Sequence, residues 1–282
     1  MDNKISSGEP INETEALKRL TQQIDFSAQY YGAWWLGRMR SKHPSAVPLL
    51  LSALTRVLSA PQEPDDLINE KVGVARNAAR ALGKLKAKVA TADLIKALDH
   101  PDHSLREAAA RSLGELGDKQ ALSALVAHLQ LRGAGEPVGN SLHLGEPCEA
   151  LLEAIGQICV MNGLKADQDF QKSLERFQHH NRPVVASAAC RALLQISGNS
   201  KWGEKIVALL KNSQLLVRRA ALLDLAACGW RPAAEQIATC QVENSLKLYA
   251  LRGLLEESPD NPGPVQLGER EKQLLALMDQ LL

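Results

Sequence analysis

Apolar and small residues recur along the chain with the spacing of one amphipathic helix that is used several times. In each copy an apolar residue is followed by small residues at the fifth and sixth positions and by an apolar residue at the ninth, often before a glycine. The clearest copies are VARNAARALGKL, which begins at Val74, and LREAAARSLGEL, which begins at Leu105. The first, fifth and ninth positions lie on one stripe of a helix, so each copy predicts an inner helix that packs closely on its neighbours.

The ninth residues anchor seven copies, and their spacing indicates a repeat protein. These anchors are Leu36, Leu82, Leu113, Ile155, Leu193, Leu225 and Leu254. Most of the intervals lie near the repeat of about 30–47 residues that stacked helical hairpins have. Apolar stretches between the anchors predict outer helices over Val47–Leu58, Ala92–Leu98, Ala121–Leu129, Phe170–Phe177, Ile206–Leu210 and Ala233–Ala238. We therefore expect an all-α fold, a right-handed α-solenoid of about seven hairpins.

The repeats also set the expected domain organisation. Residues 1–24 form a polar N-terminal segment, residues 25–258 form the solenoid, and residues 259–282 hold a linker and a capping helix that begins at Glu269. Two insertions interrupt the array, Ser59–Gly73 and Arg132–Pro147, and both are rich in Gly, Pro and acidic residues. Long loops inside a compact array are more often functional than not, so both insertions are candidates for a functional role.

The third and seventh positions of each copy lie opposite the core stripe and are predicted to face outward. In six copies they hold Arg76 and Arg80, Glu107 and Arg111, Glu149 and Glu153, Ser187 and Arg191, Arg219 and Leu223, and Leu248 and Arg252. A row of arginines could bind a carboxylate ligand, because a guanidinium contacts a carboxylate at two points. For any single arginine, exposure to solvent or an ion pair with a glutamate explains the position as well. At the second motif position, Arg106 and Arg218 are expected to bridge adjacent repeats.

The first copy, AQYYGAWWLGRM, breaks this rule. Tyr30 and Trp34 occupy its outward positions, and Tyr31 and Trp35 lie directly beside them. Two interpretations stay open. The rings cover the open end of the solenoid beneath residues 1–24, since terminal repeats are often atypical, or they form an aromatic wall for a flat apolar ligand.

Charge and motifs exclude several classes of function. With 33 basic and 32 acidic residues the net charge is +1, which argues against a nucleic-acid groove, and acidic residues interrupt the outward arginines. None of the seven histidines is followed by glutamate, so a di-iron site of the helical-repeat type is not expected, and no metal ligands are assigned. The sequence has no 18-residue apolar run and no signal-peptide pattern, which predicts a soluble intracellular protein with no membrane partner.

The five cysteines are widely spaced and form no C-x-x-C pair, so neither a disulfide framework nor a zinc site is indicated. We expect reduced, mostly buried thiols. All but Cys148 fall in apolar helical surroundings, where a thiol is usually inert, and transient carriage of a ligand on one of them is a minor alternative.

Six segments in order carry a resemblance to a known family: YYGAWWLGRM, ARNAARALGKL, REAAARSLGELGD, HLGEPCEALLEAIG, RRAALLDLAACGW and ENSLKLYALRGLLE. The chain resembles the E-type (alpha) subunit of the heterodimeric phycocyanobilin lyases, whose repeats belong to the phycobilisome-lyase class of HEAT-like repeats. The likeness runs from about Tyr30 to Glu256. Its most specific part is the double Tyr and double Trp of the first copy together with the NSLKLYALRGLLE end.

The resemblance implies a protein of the cyanobacterial cytosol or the plastid stroma that works with a homologous F-type subunit. Together they attach an open-chain tetrapyrrole, phycocyanobilin or a relative, by a thioether to a cysteine of a phycobiliprotein, the phycocyanin alpha subunit above all. The bilin is the substrate, and no prosthetic group is expected. The alternative is a non-catalytic HEAT-repeat adaptor or scaffold in phycobilisome assembly or turnover.

The bilin-binding residues that the resemblance and the helix wheel imply are Tyr30, Tyr31, Trp34, Trp35, Arg76, Arg80, Glu107, Arg111, His143 and Glu149. In this interpretation the aromatic rings stack on the pyrrole rings, Arg76 and Arg80 hold the two propionates, and Glu107 or Glu149 accepts from pyrrole N–H groups. The acceptor thiolate adds to the ethylidene carbon of ring A. No catalytic nucleophile of this chain is required for that step, and none is assigned.

Overall fold

A computed structural model describes residues 11–22, 24–59, 67–139, 143–165, 168–255 and 268–282. Throughout these ranges the regular structure is helical, and the one β-type pairing in them is an isolated bridge between Pro137 and Leu144. The predicted all-α fold is confirmed. No helix in the described part of the chain is long and apolar enough to cross a membrane.

The chain divides by its contacts into two compact units, Met1–Ala154 and Ile155–Leu282. The first unit holds α1 (Glu13–Leu20), α2 (Phe26–Arg38), α3 (Ala46–Leu58), α4 (Ile68–Lys84), α5 (Thr91–Ala97), α6 (His103–Leu116), α7 (Leu122–Gln130) and the start of α8 (Cys148–Met161). The second holds the rest of α8, α9 (Gln168–Glu175), α10 (Pro183–Ser197), α11 (Ser200–Leu209), α12 (Leu215–Ala227), α13 (Ala234–Thr239), α14 (Asn244–Leu255) and α15 (Glu269–Asp279). Within each unit the helices follow one another as packed hairpins.

The motif copies form the even-numbered helices from α2 to α14, and all seven anchors are buried. Leu36, Leu82, Leu113, Ile155, Leu193 and Leu225 expose no surface, and Leu254 exposes almost none. The six predicted outer helices are α3, α5, α7, α9, α11 and α13, so the inner and outer assignment is confirmed.

Small residues let the inner helices approach closely, as the motif predicts. A Cβ placed on Gly37 of α2 would lie 2.7 Å from Ala81 Cα of α4, and one on Gly83 of α4 would lie 2.9 Å from Ser112 Cα of α6. The Ser112 hydroxyl donates to the Ala79 carbonyl at 2.8 Å, which satisfies a polar group inside this tight contact. These contacts bring the outward faces of α2, α4 and α6 next to one another.

Several boundaries differ from the sequence prediction. The N-terminal segment contains α1, whose N-cap Asn12 accepts from the Glu15 backbone N–H and whose Ala16 and Leu20 are buried. The first insertion is shorter than predicted, because α4 already begins at Ile68, where Val72 joins the core; residues 60–66 of that insertion lie outside the described residues.

Helix α11 begins six residues before the predicted stretch, because Asn199 caps it and Trp202 packs inward. The linker residues 259–267 before α15 lie outside the described residues, as does the stretch 256–258 at the predicted end of the solenoid.

Arg106 and Arg218 both join adjacent repeats, as predicted from the second motif position. Arg106 donates to the His100 carbonyl at 2.9 Å and to the Gly145 carbonyl at 2.8 Å. In the second unit, Arg218 donates to the Asn212 carbonyl at 2.7 Å and to the Gln241 carbonyl at 2.9 Å. In both cases one guanidinium ties the loop before its own helix to the loop before the next inner helix.

Candidate functional site

Four aromatic residues of α2 form the most exposed aromatic cluster of the first unit. The N-cap Asp25 accepts from the Ala28 backbone N–H at 2.8 Å and fixes the start of the helix. Tyr30, Tyr31 and Trp34 are 44%, 56% and 46% exposed, and Trp35 is half-buried. The Tyr31 and Trp34 rings meet edge to face, with centroids 6.1 Å apart. This part of α2 therefore presents aromatic faces and edges to solvent, although burying these apolar surfaces would stabilise the fold.

The described part of the N-terminal segment packs beside these rings. Helix α1 approaches α2 at Gly32, where an added Cβ would lie 2.6 Å from the Ala16 carbonyl oxygen. Residues 11–22 thus cover the small-residue side of α2 and leave Tyr30 and Trp34 about half exposed. Residues 1–10, which belong to the capping interpretation as well, lie outside the described residues.

The aromatic surface of α2 begins one helical turn earlier than the sequence predicted. Phe26 precedes Tyr30 by four residues and Trp34 by eight, so the three side chains share one stripe of α2. Lys71 Nζ of α4 lies 6.0 Å from the Phe26 ring centroid. The i, i+4 spacing was present in the sequence as a signal, but Phe26 lies before the first motif position and was missed.

Arg76 is engaged by a carboxylate of this chain. Its Nε and Nη2 donate to Asp102 Oδ1 and Oδ2 at 2.9 and 2.8 Å, and Asp102 also caps α6 through the Leu105 backbone N–H at 2.7 Å. Partial burial opposes the Asp102 charge, but the hydrogen bonds from Arg76 and Leu105 outweigh it and lower the pKa of Asp102. Arg80, one turn further along α4, is exposed and makes no ion pair with the described residues.

Two carboxylates share the Arg111 guanidinium. Glu107 lies one turn before it on α6 at 3.1 Å, and Glu153 reaches it from α8 at 2.5 Å. Burial disfavours the charge of Arg111, but the two carboxylates outweigh this and raise its pKa. Glu149 is half-buried one turn before Glu153 and has an interaction of its own. The cluster places carboxylates of α6 and α8 beside the arginines of α4.

The second insertion brings His143 against α6. The rings of His143 and His103 lie with centroids 4.5 Å apart, and His143 is exposed. Burial, the neighbouring His143 and Arg106 lower the pKa of His103. The insertion is held at its end by the buried Glu146, which contacts Arg106 at 3.4 Å and His128 Nδ1 at 3.2 Å. Residues 140–142 of this insertion lie outside the described residues.

The predicted residues of the first unit lie on consecutive inner helices that touch one another. An Asn77 amide of α4 donates to the Tyr30 carbonyl of α2 at 3.2 Å. Helices α4 and α6 are joined by Arg76 and Asp102, and α6 and α8 by Arg111 and Glu153. We call the surface formed by the third and seventh positions of α2, α4, α6 and α8 the candidate face. It runs from aromatic at α2 through basic at α4 to acidic at α6 and α8.

The outward prediction is wrong for the copy on α10. Ser187 is fully buried and Arg191 is 7% exposed. Both face Asp224 of α12, which accepts from the Ser187 hydroxyl at 2.5 Å and from Arg191 Nη1 at 3.3 Å. The helix wheel placed these positions opposite the core stripe correctly, but it could not reveal that a buried carboxylate 33 residues further along the chain covers them.

The cysteines are free thiols, of which Cys148, Cys159, Cys190 and Cys240 are buried and Cys228 is half-buried. The interpretation of Cys148 as the exception is wrong, because its thiol is buried and donates to the Ala134 carbonyl at 3.4 Å. Burial raises the pKa of Cys159 and Cys190 to about 11 and that of Cys228 to about 12. In the described part of the chain, no group of three His, Cys, Asp or Glu residues is placed to hold a metal ion.

Two repeat families match parts of the chain. Residues 69–133 match HEAT repeats, and residues 28–56 match the PBS lyase HEAT-like repeat. The second match covers most of α2, with all four clustered aromatic residues, and most of α3.

Whole-chain comparisons extend the likeness. The bilin biosynthesis protein RpcE of Synechococcus sp. WH8020 is 44% identical over 90% of this chain and 93% of its own length. The phycocyanobilin lyase subunit alpha of Picosynechococcus sp. PCC 7002 is 38% identical over 95% of each chain. A chain in the structure of the complex of CpcE and CpcF of phycocyanin lyase from Nostoc sp. PCC7120 superposes with a TM-score of 0.82 at 37% identity, covering 100% of this chain and 99% of that one. The chain therefore belongs to the family of phycocyanobilin lyase alpha subunits.

Proposed function

We infer that this chain is one subunit of a bilin lyase, and that its candidate face holds an open-chain tetrapyrrole for transfer to a cysteine of a phycobiliprotein. The observation that carries the proposal is the exposed aromatic stripe of α2, since half-exposed Tyr and Trp rings offer a flat apolar ligand a stacking surface. The family relationship supplies the ligand class. The alpha subunits similar to this chain bear the name of phycocyanobilin lyase.

Each part of the candidate face suits one part of a bilin. The rings of Tyr30 and Trp34 stack on pyrrole rings, and the exposed Arg80 can pair with a propionate. The carboxylates around Arg111 suit pyrrole N–H groups, because a carboxylate accepts from them and favours their protonated form. The bilin is a substrate in this scheme, and no prosthetic group takes part.

The bond-forming step requires that the bilin is held in the right orientation, and it requires no reactive group of this chain. The acceptor thiolate adds to the ethylidene carbon of ring A, the exocyclic double bond becomes single, and a proton is taken up by the ring carbon. A fixed bilin conformation and the exclusion of other nucleophiles accelerate that addition. Burial raises the pKa of Cys159 and Cys190 to about 11 and that of Cys228 to about 12, so these three thiols are poorly suited to compete with the acceptor thiolate.

We further infer the partners. The chain in the superposed structure comes from a complex of CpcE with CpcF, so the partner proposed here is a homologous F-type subunit. The proposed acceptor is the apo-phycocyanin alpha subunit, and the proposed location is the cyanobacterial cytosol or the plastid stroma.

A Trp34→Ala substitution in the co-expressed heterodimer tests the proposal. Because Trp34 is 46% exposed, the melting temperature should change little, whereas phycocyanobilin binding should weaken by about 1–3 kcal/mol, the range for flat bases stacked on aromatic side chains. The measurement is titration of the visible absorption band, followed by addition of apo-alpha or apo-beta phycocyanin.

Tyr249→Ala is the matched control, because Tyr249 is an aromatic residue of α14 that is 64% exposed and lies outside the candidate face. Equal bilin binding by Trp34→Ala, Tyr249→Ala and the unaltered heterodimer would remove Trp34 from the site. A heterodimer that never perturbs the bilin band would instead favour the adaptor alternative.

A further inference from the structure

Two neighbouring loops of the first unit carry the same pattern of positive charges. Each loop follows an inner helix, and its cations alternate with other residues, as RMRSK at the end of α2 and as KLKAK at the end of α4. All six cations are exposed, and none forms an ion pair with another described residue. We call these residues the basic ridge: Arg38, Arg40, Lys42, Lys84, Lys86 and Lys88.

The packing of α2 on α4 brings the two loops side by side. Gly37 of α2 approaches Ala81 of α4 so closely that an added Cβ would lie 2.7 Å from the Ala81 Cα. Arg38 follows Gly37 directly, and Lys84 follows Ala81 by three residues. The six cations therefore belong to one area of the surface, although they lie in two repeats.

The ridge has an excess of positive charge. The stretches 38–45 and 84–92 contain no acidic residue. From a neighbouring helix, Glu13 of α1 reaches the first loop and accepts from the Ser41 hydroxyl at 2.5 Å. That single carboxylate stands against the three cations of its loop, on a chain whose net charge is only +1.

The backbone is strained at two of these cations. Arg40 and Lys86 have φ angles of 51° and 54°, in the left-handed region that residues with a side chain rarely adopt. Four residues after their own buried anchors, Gly117 and Gly229 make the same kind of turn with φ angles of 68° and 58°. Glycine adopts this conformation without strain. The first two repeats therefore keep a cation where other repeats have the residue that suits the turn best.

The helix dipole explains only part of the ridge. A cation in the last turn of a helix is stabilised by the carbonyl groups there, which accounts for Arg38 and Lys84. It does not account for side chains at Arg40 and Lys86, because a glycine would relieve the strain of both turns. Strained residues cluster at functional sites, so the strain and the charge together indicate a binding role.

The composition of the ridge favours an acidic protein surface as its ligand. Met39 and Val89 lie among the cations and are 60% and 69% exposed, and apolar side chains contribute to a protein contact but not to the binding of a small anion. In the third repeat Glu115 takes the position of Arg38 and Lys84, so the ridge ends after two repeats and is too short for a nucleic-acid groove. Lysine is depleted in permanent interfaces, whereas complementary charge steers transient encounters.

The ridge borders the candidate face. Arg38 follows Trp34 by four residues on α2, and Lys84 follows Arg80 by four on α4, so each pair shares one stripe of its helix. An acceptor that brings its cysteine to a bilin on the candidate face has to contact the protein beside that face.

We propose that the basic ridge docks the acceptor phycobiliprotein through a surface rich in Asp and Glu. The inference rests on the proposed function, because the acceptor is the one proposed there. It gives the ridge a part in recognising the protein substrate, separate from the binding of bilin by the candidate face.

The experiment measures binding of the apo-phycocyanin alpha subunit to the immobilised co-expressed heterodimer, without bilin, by biolayer interferometry. Binding to the unaltered heterodimer should weaken by about ten-fold between about 50 and 200 mM salt, because salt screens exposed charges. Phycocyanobilin is titrated separately, and the melting temperature is measured on the same samples.

The Arg40→Gly, Lys86→Gly double variant separates docking from stability. Its dissociation constant for the acceptor should rise about five- to ten-fold and lose part of its salt dependence, since two steering charges are gone. Its melting temperature should stay the same or rise, because glycine relieves the strain of both turns. A purely structural role of the two cations predicts the opposite, a lower melting temperature with unchanged docking.

Two further variants complete the set. Lys42→Gln, Lys88→Gln removes two charges of the ridge without changing a strained turn and should weaken docking to a similar extent. Lys172→Gln, Lys272→Gln is the control for net charge, because both lysines lie in the second unit, are 68% and 59% accessible, and each pairs with an acid of its own helix. The control should bind the acceptor like the unaltered heterodimer.

The outcomes separate this inference from the function on which it rests. Docking that is weakened in both ridge variants and kept in the control supports the assignment. Docking that is equal in all variants overturns it, as does a ridge variant that loses bilin binding, loses its partner subunit on size exclusion, or loses only the binding of a duplex oligonucleotide. An unaltered heterodimer that binds bilin but not the acceptor overturns the ridge alone. One that binds the acceptor through the ridge but never perturbs the bilin band overturns the proposed function and leaves the docking site.

Discussion

At the scale of single residues, arginines at the outward motif positions of the second unit form two kinds of ion pair with carboxylates. Arg191 and Asp224 are buried, and Asp224 also accepts from the Ser187 hydroxyl. Arg219 and Glu243 meet at 2.8 Å with both side chains exposed. Removing one partner of a buried pair leaves an uncompensated charge in an apolar interior, whereas water screens an exposed pair. The same chemistry therefore stabilises the second unit very differently at the two positions.

Replacing Asp224 by Asn should destabilise the protein by about 3–5 kcal/mol, since Arg191 keeps its charge and loses its carboxylate. Glu243→Gln is the matched control and should leave the denaturation midpoint almost unchanged. Urea unfolding followed by circular dichroism measures both. Equal midpoints for the two variants would contradict the assignment of Asp224 as a buried counter-ion.

The thiols give a second prediction at this scale. Burial raises the pKa of Cys159 and Cys190 to about 11 and of Cys228 to about 12, so the reactive thiolate is rare at pH 8. We expect these three thiols of the folded chain to react with Ellman's reagent at least about a hundred-fold more slowly than free cysteine, whose pKa is about 8.5. Their rates should rise as the pH approaches 11. If one of these cysteines reacts as fast as free cysteine, the expectation of inert thiols is wrong, and covalent binding of bilin to this chain becomes possible.

At the scale of elements, small residues decide how closely the inner helices pack. Gly37 of α2 faces Ala81 of α4 with no room for a side chain. Gly73, at the start of α4, meets only the Tyr30 ring, at an ordinary contact distance of 3.8 Å. Two glycines of one unit thus serve different purposes, since the first is required by packing and the second is not.

Gly37→Ala should destabilise the first unit by about 1–3 kcal/mol, because the added methyl forces α2 and α4 apart. Gly73→Ala should be neutral or stabilise the unit by about 0.5–1 kcal/mol, since alanine favours the helix over glycine. Thermal unfolding monitored at 222 nm compares them. A Gly37→Ala variant as stable as Gly73→Ala would mean that α2 and α4 are not in close contact.

How much the sequence revealed depends on the range of the interaction. The helical period is local, and it correctly predicted the buried anchors from Leu36 to Leu254 and the order of inner and outer helices. Arg76 was found by the same period, but its partner Asp102 lies 26 residues away and no local pattern connects the two. The contact of Ser187 and Arg191 with Asp224 likewise joins two helices, so it became visible only in the fold.

At the scale of the whole molecule, exposed apolar residues occur in both units, whereas the proposed site lies in the first. The candidate face belongs to the first unit, residues 1–154. The second unit exposes the neighbouring Leu215 and Leu216 of α12, which are 40% and 69% accessible. Adjacent exposed leucines offer a protein partner an apolar contact.

The last prediction is that this chain forms a stable heterodimer with a homologous F-type subunit. Obligate complexes bury about 2,000 Å² or more, and exposed apolar residues such as Leu216 would contribute to such an interface. Co-expression followed by size-exclusion chromatography at micromolar concentration should give one peak that contains both chains, and each chain injected alone should elute later. Adding phycocyanobilin to the isolated chain and to the complex then tells whether the candidate face suffices for binding. Two separately eluting monomers from the co-expressed sample would contradict the heterodimer, because they would place its dissociation constant above the micromolar range, where an obligate pair is not found.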